Sequence, residues 1–177
     1  MHMLKQEVAE KLQELITPME GCRILEIGTG WSESAVFFSK LKPDWKIYTV
    51  DAFGLYGDGR IYNKWDHDKM LEISKQLQAC GNVIQILGNS STIAWELPID
   101  VLFLDGDHTC EGVMADFLHY HRWLKKGSIV CFDDYTQENN PKNGVKRAVD
   151  YILYSQDPHL KYELLHKGYY AAILKKL

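Results

Sequence analysis

The sequence of 177 residues has no long hydrophobic run. None of its stretches approaches the roughly 20 apolar residues that a membrane-spanning helix needs. Its first 20 residues alternate charged and apolar side chains, unlike the continuous apolar segment of a signal peptide. We therefore expect a cytoplasmic protein with no membrane partner.

An excess of basic charge is also absent. The chain carries 20 Lys and Arg against 24 Asp and Glu, a formal net charge of −4, and its basic residues do not form a run that could follow a phosphate backbone. We expect a small molecule as its partner, and no nucleic acid.

Cysteine is scarce, and its spacing is unsuited to metal binding or a disulfide framework. The four cysteines form no C-x-x-C pair and lie near no pair of histidines at zinc-finger spacing. Buried, reduced thiols are therefore expected at Cys22, Cys80, Cys110 and Cys131. The chain also lacks repeats and linkers, which predicts a single domain over residues 1–177, with 1–19 as an N-terminal helix and a candidate substrate or oligomer element.

The chain does contain a regular alternation of helical and strand patterns. Apolar runs predict strands at 22–27, 46–50, 83–87, 100–104 and 128–132, and helical spacing predicts helices near 4–16, 35–41, 70–80, 110–126 and 145–153. Two last strands, near 159–165 and 169–175, are separated by Lys167-Gly168, which is short enough for a hairpin. This order predicts an α/β fold with a mostly parallel sheet that ends in an antiparallel pair.

A glycine loop follows the first predicted strand. Gly28-Thr29-Gly30 leads directly into a helix, and glycine lets the backbone come close to a ligand at a helix N-terminus. Asp51 lies 23 residues beyond Gly28, at the end of the next strand, where a carboxylate can accept both ribose hydroxyls of an adenosine. A plain tight turn and a solvated strand-end carboxylate are the alternatives.

The charges around this loop favour one cofactor. A dinucleotide fingerprint has a third glycine close to this position, but here Glu33 follows Gly30 and would repel a diphosphate. S-adenosylmethionine has no phosphate and carries a sulfonium and an ammonium group. Glu26, just before the loop, is a candidate partner for that ammonium group, with an ordinary salt bridge as the alternative.

Segment 25–30, Leu-Glu-Ile-Gly-Thr-Gly, followed by Ser34, resembles the first motif of class I S-adenosylmethionine-dependent methyltransferases. The resemblance covers roughly residues 20–175 and is strongest to small-molecule O-methyltransferases of the catechol type and of the type that methylates sugars of macrolide and aminocoumarin antibiotics. It implies a Rossmann-like, mostly parallel seven-stranded sheet with a terminal antiparallel pair and helices on both faces.

The resemblance also implies cofactor-binding roles for individual residues. Ser34 matches the hydroxyl that holds the methionine carboxylate, with Ser32 competing for that role or acting as a helix cap. Loop 88–91 matches the segment against the adenine, although a simple turn fits its composition equally well. The predicted cofactor-binding residues are Glu26, Gly28, Thr29, Gly30, Ser34, Asp51, Ala52, Asn89, Ser90 and Asp105.

Carboxylates end two neighbouring predicted strands. Asp105 ends the fourth strand and Asp133-Asp134 ends the fifth, so all three are expected at the crevice edge of the sheet. A divalent cation would neutralise such a cluster, and oxygen ligands favour Mg²⁺, with Mn²⁺ or Ca²⁺ possible. The resemblance matches these residues to the metal ligands of metal-dependent O-methyltransferases. Helix capping is the alternative, above all for Asp134.

A base is needed to take the proton of the acceptor hydroxyl. The resemblance to aminocoumarin-sugar enzymes makes Asp107 the first choice, with Gly106 allowing Asp105 and Asp107 to face one cavity. His108 is the alternative base because its ordinary pKa is about 6.5. A histidine hydrogen-bonded only to backbone is the structural alternative.

The acceptor walls are expected outside the cofactor core. Aromatic side chains that could stack on a ring or sugar, or instead form a packed lid or an oligomer contact, are Phe53, Tyr56, Tyr62, Trp65 and Tyr135. The leading hypothesis is a Mg²⁺-dependent O-methyltransferase acting on a small hydroxylated molecule. An NAD-dependent oxidoreductase, a non-catalytic cofactor-binding module and N-methylation remain alternatives.

Overall fold

The computed structural model describes residues 4–53, 67–136 and 144–177. Its strands are β1 (Arg23–Ile27), β2 (Lys46–Asp51), β3 (Val83–Leu87), β4 (Ile99–Leu104), β5 (Leu124–Asp133), β6 (Tyr162–Lys167) and β7 (Ala171–Lys176). Its α-helices are α1 (Gln6–Ile16), α2 (Glu33–Leu41), α3 (His67–Ala79), α4 (Cys110–Tyr120) and α5 (Val145–Tyr154).

The strands form one seven-stranded sheet in the order β3-β2-β1-β4-β5-β7-β6. Strands β1 to β5 pair in parallel, and β7 lies antiparallel between β5 and β6. The chain order therefore reverses between β1 and β4, the point at which an open α/β sheet forms its ligand crevice. The predicted Rossmann-like sheet with a terminal antiparallel pair is confirmed.

Helices cover both faces of the sheet, because each face is a continuous apolar surface. Helices α1, α2 and α3 pack on one face, where Leu12 and Phe38 are fully buried. Helices α4 and α5 pack on the other face, where Phe117 and Ile152 are fully buried. The apolar residues at helical spacing in the sequence are those that point into these two cores.

The helix expected over 110–126 is shorter than predicted. It ends at Tyr120, and Leu124 already pairs with Ile99 as the first residue of β5. The hydroxyl of Ser128 donates to the backbone carbonyl of Ile99 at 2.7 Å, which holds this early part of β5 in the sheet. Sequence spacing alone assigned Leu124 to the helix because a single apolar residue satisfies either pattern.

The turn between β6 and β7 lies at the same edge as the carboxyl end of β5. Asp133 pairs with Ala171, so the turn that precedes β7 stands beside the segment that follows β5. The backbone N–H groups of Tyr135 and Thr136 donate to the carbonyls of Tyr170 and Tyr169, each at 3.1 Å. The turn contains three residues rather than the predicted two.

All four cysteines are free thiols. Cys22 and Cys131 are buried as expected, whereas Cys80 and Cys110 are only half-buried. Within the described ranges, no helix has the length and apolar character required to cross a bilayer.

Candidate functional site

Gly28 joins the ends of β1 and β4. Its φ is +94°, and a Cβ at this position would stand 2.0 Å from the backbone oxygen of Asp105. The Gly28 N–H donates to the carbonyl of Val50, and the Asp105 N–H donates to the carbonyl of Ile27, both at 2.8 Å. Only glycine fits here, because a side chain would push the two strand ends apart at the crevice.

Asp51 anchors the glycine loop from the end of β2. One carboxylate oxygen accepts the N–H of Gly30 at 3.0 Å, and the other accepts the N–H of Phe53 at 2.7 Å. A Cβ on Gly30 would meet no atom within 4 Å, so open space lies over this part of the loop. Asp51 and the loop are therefore brought together as the sequence predicts, with the half-buried Ala52 beside them.

Glu26 lies beneath the loop, and its side chain is fully buried. The hydroxyls of Ser34 and Thr49 donate to its two carboxylate oxygens. The hydroxyls of Thr29 and Thr49 lie 2.6 Å apart. Burial raises the pKa of Glu26 to about 8, against the lowering effect of the Ser34 and Thr49 hydrogen bonds, and the charges of Asp105 and Asp51 add to the increase.

This network changes the expected role of Ser34. Its hydroxyl hydrogen is directed to Glu26, so Ser34 can meet another group only through its oxygen lone pairs. Thr49 is a site residue that sequence reasoning missed. Its only signal was a hydroxyl in the otherwise apolar centre of β2, and Thr49 is fully buried there.

The start of α2 differs from the prediction in one respect. Ser32 stands at the residue before the helix with φ +65°, and its hydroxyl donates to the carbonyl of Trp31 at 2.5 Å, so Ser32 does not cap α2. Glu33 follows in the first turn. Among the described residues, its buried Oε2 atom has no hydrogen-bond partner. A buried carboxylate oxygen beside the loop suits a cationic ligand and opposes a diphosphate.

The loop after β3 is held by its own side chains. The Asn89 Oδ1 atom accepts from the N–H and the hydroxyl of Ser91 at 3.0 and 2.8 Å. Ser90 donates its hydroxyl hydrogen to Asp116 at 2.5 Å. The Gly88 N–H donates to the carbonyl of Asp51 at 3.0 Å. The loop thus lies beside Asp51 as expected, although the Ser90 hydrogen is already used within the protein.

Two carboxylates lie beside a histidine at the ends of β4 and β5. The Nε2 atom of His108 lies 3.2 Å from Asp105 Oδ1 and 3.9 Å from Asp134 Oδ2. Burial, followed by the charges of Asp105 and Asp134, raises the pKa of Asp133 to about 8. The structure therefore brings Asp105 and Asp134 together beside His108, and Asp133 is close enough for their charges to raise its pKa.

The same charges act on His108 in the opposite direction to burial. Burial lowers the pKa of His108, but the hydrogen bond and charge of Asp105 and the charges of Asp134 and Asp133 outweigh it. The pKa of His108 is therefore raised above its ordinary value of 6.5. This imidazole has increased basicity at the edge of the crevice.

The expected Mg²⁺ site is not preformed. Across the three described ranges, no group of three or more His, Cys, Asp or Glu side chains is arranged so that it could hold a metal ion. The chemistry of the donor set still suits a hard divalent cation, because Asp105, Asp133 and Asp134 all offer carboxylate oxygens. Burial is the main cause of the raised pKa of Asp133, and a bound cation would relieve the second cause, which is repulsion from Asp105 and Asp134.

Asp107 lies against α4 rather than beside Asp105. Its Oδ1 atom accepts the N–H of Thr109 at 2.9 Å. Its carboxyl group covers Gly112, where an added Cβ would stand 2.6 Å from Asp107 Oδ2. The carboxyl group of Asp107 is therefore held near the N-terminus of α4, and the expectation that it shares a cavity with Asp105 stays a prediction.

Two predicted acceptor-wall residues are also placed elsewhere. Tyr135 is 1% exposed and Phe53 is 4% exposed, so neither side chain is open to an acceptor. The hydrogen bond of the Tyr135 N–H to Tyr170 draws the chain after β5 against the β6–β7 turn, which buries the ring. The other predicted aromatic residues, Tyr56, Tyr62 and Trp65, lie outside the described residues.

Several solved structures share this fold along nearly the whole chain. A candidate rRNA methylase from Clostridium thermocellum is 13% identical with a TM-score of 0.70, over 100% of this chain and 99% of that one. A candidate caffeoyl-CoA O-methyltransferase from Staphylococcus aureus is 18% identical with a TM-score of 0.71, over 99% and 86%. A candidate methyltransferase from Streptococcus mutans, in complex with S-adenosylhomocysteine, is 15% identical with a TM-score of 0.67, over 99% and 100%.

Sequence comparison gives a shorter match and a family. An uncharacterised protein of Acanthamoeba polyphaga mimivirus is 49% identical over 37 residues, which are 21% of this chain and only 17% of the viral protein. The methyltransferase domain family matches residues 25–135, from β1 to the segment after β5, and so includes every strand-end residue described above. The chain therefore belongs to the methyltransferase domain family, and its fold resembles that of class I S-adenosylmethionine-dependent methyltransferases, the small O-methyltransferases among them.

Proposed function

We propose that this methyltransferase transfers a methyl group to a hydroxyl of a small molecule and requires a divalent cation, with Mg²⁺ as the first candidate. One observation carries the proposal. Asp105 and Asp134 lie beside His108 at the crevice edge, and burial, followed by the charges of Asp105 and Asp134, raises the pKa of Asp133 to about 8. A cluster of this composition is suited to holding a cation and an acceptor oxygen side by side.

The cofactor half of the site is assigned to the loop and strand ends on the β1 and β2 side. Asp51 accepts the ribose hydroxyls while it holds Gly30 and Phe53 in place. Glu33 supplies negative charge for the ammonium and sulfonium groups. Glu26 has a pKa of about 8 without a cationic partner, and an ammonium group beside it would favour the ionised form of its carboxyl group. S-adenosylmethionine supplies the methyl group when bound, and the buried acids favour its positive charge over the neutral sulfur of the product.

The acceptor half is assigned to the ends of β4 and β5. Asp105, Asp133 and Asp134 would hold the cation, which when bound lowers the pKa of the acceptor hydroxyl and orients its oxygen. His108 takes the proton of that hydroxyl, because its imidazole is next to Asp105 and its basicity is increased. Asp107 is the second candidate base, and its exposed position at the start of α4 makes it the weaker one.

Ribosomal RNA is a second candidate acceptor. The likeness to the candidate rRNA methylase spans 100% of this chain, so the absence of an excess of basic residues does not by itself exclude RNA. The net charge of −4 and the acidic crevice edge favour a small molecule, since a phosphate backbone would meet repulsion at carboxylates such as Asp51 and Asp105. Both acceptor classes belong in the same assay.

The test measures transfer of labelled methyl from S-adenosylmethionine to hydroxylated small molecules, matched amines and rRNA, with Mg²⁺ or with EDTA. We expect transfer to a hydroxyl that is lost in EDTA and in Asp105→Asn and Asp133→Asn. Asp157→Asn, which removes an exposed carboxylate outside the cluster, is the matched control and should retain transfer. Full activity in EDTA would refute the cation requirement.

Other outcomes replace the proposal by a named alternative. Transfer only to amines would favour N-methylation, and transfer only to rRNA would favour the second candidate acceptor. Tight binding of S-adenosylhomocysteine without turnover on any acceptor would favour a non-catalytic binding module.

A further inference from the structure

Asp116 is a buried acid that the sequence analysis did not select. It lies in α4, three residues after the buried Val113, and therefore on the face of the helix that packs against the sheet. Asp116 is only 6% exposed, and its Oδ1 atom accepts the hydroxyl hydrogen of Ser90 at 2.5 Å. A carboxyl group on an apolar helix face needs such a partner, and one of its oxygens remains to be accounted for.

The second oxygen of Asp116 is directed toward the crevice. Its Oδ2 atom lies 3.5 Å from the position that a Cβ on Gly106 would occupy, and a methyl carbon of Ile27 lies 3.3 Å from the same position. Gly106 is the second residue after β4, and Ile27 ends β1. Asp116 Oδ2 is thus at the carboxyl ends of the two strands between which the chain order reverses.

The loop after β3 links Asp116 to the proposed ribose-binding residue. The Tyr120 hydroxyl donates to the Ser90 carbonyl at 2.7 Å, which fixes the backbone of the loop to α4. At the other end of the loop, the Gly88 N–H donates to the carbonyl of Asp51. Asp51, the loop and Asp116 therefore surround the crevice on the side of the cofactor's nucleoside.

Ser90 and Asp116 determine which hydrogen-bonding group a bound base must present to them. The Ser90 hydroxyl hydrogen is given to Asp116, so Ser90 is not a donor to the base. Asp116 Oδ2 offers only an acceptor when the carboxyl group is ionised. A base with an amino group at this point satisfies it, whereas a carbonyl at the same point would face carboxylate lone pairs and leave both oxygens unsatisfied.

We propose that Asp116 selects adenine, because its Oδ2 atom accepts a hydrogen bond from the exocyclic amino group of the cofactor's base. The residue acts through direct contact with the base, and Ser90 positions its carboxyl group. This inference depends on the S-adenosylmethionine site and is independent of the cation and of the acceptor.

The experiment compares S-adenosylhomocysteine with S-inosylhomocysteine, which carries a carbonyl in place of the amino group, by calorimetry without metal. We expect the wild-type protein to bind the adenine compound about tenfold or more tightly. In Asp116→Asn, the new amide can donate to the carbonyl, so this preference should fall at least fivefold. Glu111→Gln removes an exposed charge from the same helix while leaving Asp116 in place, and the ratio should stay at the wild-type value.

A ratio of affinities separates base selection from damage to the fold, because misfolding lowers both affinities together. Equal wild-type affinities for the two compounds would overturn the proposal, as would an unchanged ratio in a folded Asp116→Asn. If that variant does not fold, the wild-type protein is tested with the N6-dimethyl compound, which has no amino hydrogen and should bind as weakly as the inosyl compound. Binding equal to that of S-adenosylhomocysteine would again overturn it.

Failure of the adenine-selection proposal can be distinguished from failure of the proposed function. Absence of a cation requirement in methyl transfer would leave the ratio of base affinities unaffected. A lost base preference would leave the cation requirement intact.

Discussion

The Nε2 atom of His108 lies 3.2 Å from Oδ1 of Asp105, within the four-residue segment 105–108 that follows β4. This contact places a candidate base beside a candidate metal ligand. It forms because the segment leaves the end of β4 and turns back before α4 begins at Cys110. It also separates His108 from Asp107, whose carboxyl group covers Gly112.

The contact predicts that His108 removes the proton from the hydroxyl group that receives the methyl group. His108→Ala should lower kcat for methyl transfer by about 100-fold or more with a smaller change in KM, since general base catalysis contributes about that much. Added imidazole should restore part of the rate, which a purely structural loss would not permit. Asp107→Asn should have the smaller effect on kcat, and the reverse order of the two variants would assign the base to Asp107.

The buried Glu26 carboxyl group predicts a pH dependence of stability. Its pKa is about 8 in the fold and 4.5 as an ordinary value, so the folded chain binds the additional proton between these limits. The free energy of unfolding should therefore fall as pH rises from about 4.5 to 8. Glu26→Gln removes the titrating group and therefore this loss. Relative to the wild type, the free energy of unfolding of the variant should be roughly 2–4 kcal/mol more favourable at pH 9 than at pH 5.

Urea unfolding of both proteins at the two pH values measures this difference. Glu20→Gln, which changes an exposed glutamate, is the control and should follow the wild type at both pH values. A Glu26→Gln variant that loses stability in parallel with the wild type would contradict the assignment of the proton to Glu26.

The close approach at Gly28 predicts a contrast between two glycine substitutions. Gly28→Ala should destabilise the protein by more than about 3 kcal/mol, because it combines a left-handed φ with a 2.0 Å clash against the Asp105 backbone. Gly21→Ala has φ +55° but no atom within 4 Å of the new Cβ, so it should cost only about 1–2 kcal/mol. Similar thermal shifts for the two variants would show that the strand ends can separate freely.

Cation binding should compete with a proton on Asp133. The pKa of this carboxyl group is about 8 without metal, so Mg²⁺ must displace a proton at lower pH. The increase in Tm caused by Mg²⁺ should be larger at pH 8.5 than at pH 6.5 and absent after EDTA. Asp133→Asn should abolish the shift at both pH values, whereas a shift of the same size in that variant would place the cation elsewhere.

The location of the site could be predicted because it follows from the direction of the strands. Asp51, Asp105 and Asp133 each come at the end of a predicted strand, and parallel strands bring their carboxyl ends to one edge. The same logic identified the glycine loop. Strand direction did not predict that Tyr135 and Phe53 are buried. Whether an aromatic side chain in a loop is exposed depends on which neighbouring segments pack against it.

Hydrogen-bond partners within the site could not be predicted from spacing. Ser34 and Thr49 are 8 and 23 residues from Glu26, and nothing in a sequence states that both hydroxyls donate to this carboxyl group. Asp116 and Ser90 are 26 residues apart, on a helix and a loop, and meet only because α4 packs beside the loop after β3.

The sequence by itself determined the order of the elements, the two apolar faces of the sheet and the edge at which acids and glycines collect, since these follow from periodicity and chain direction. Only the tertiary structure decided which of those acids is buried, which hydroxyl hydrogen each one receives and which oxygen is left for a ligand. Those properties depend on contacts between elements distant in the chain, where burial and charge act through distances that sequence spacing does not encode.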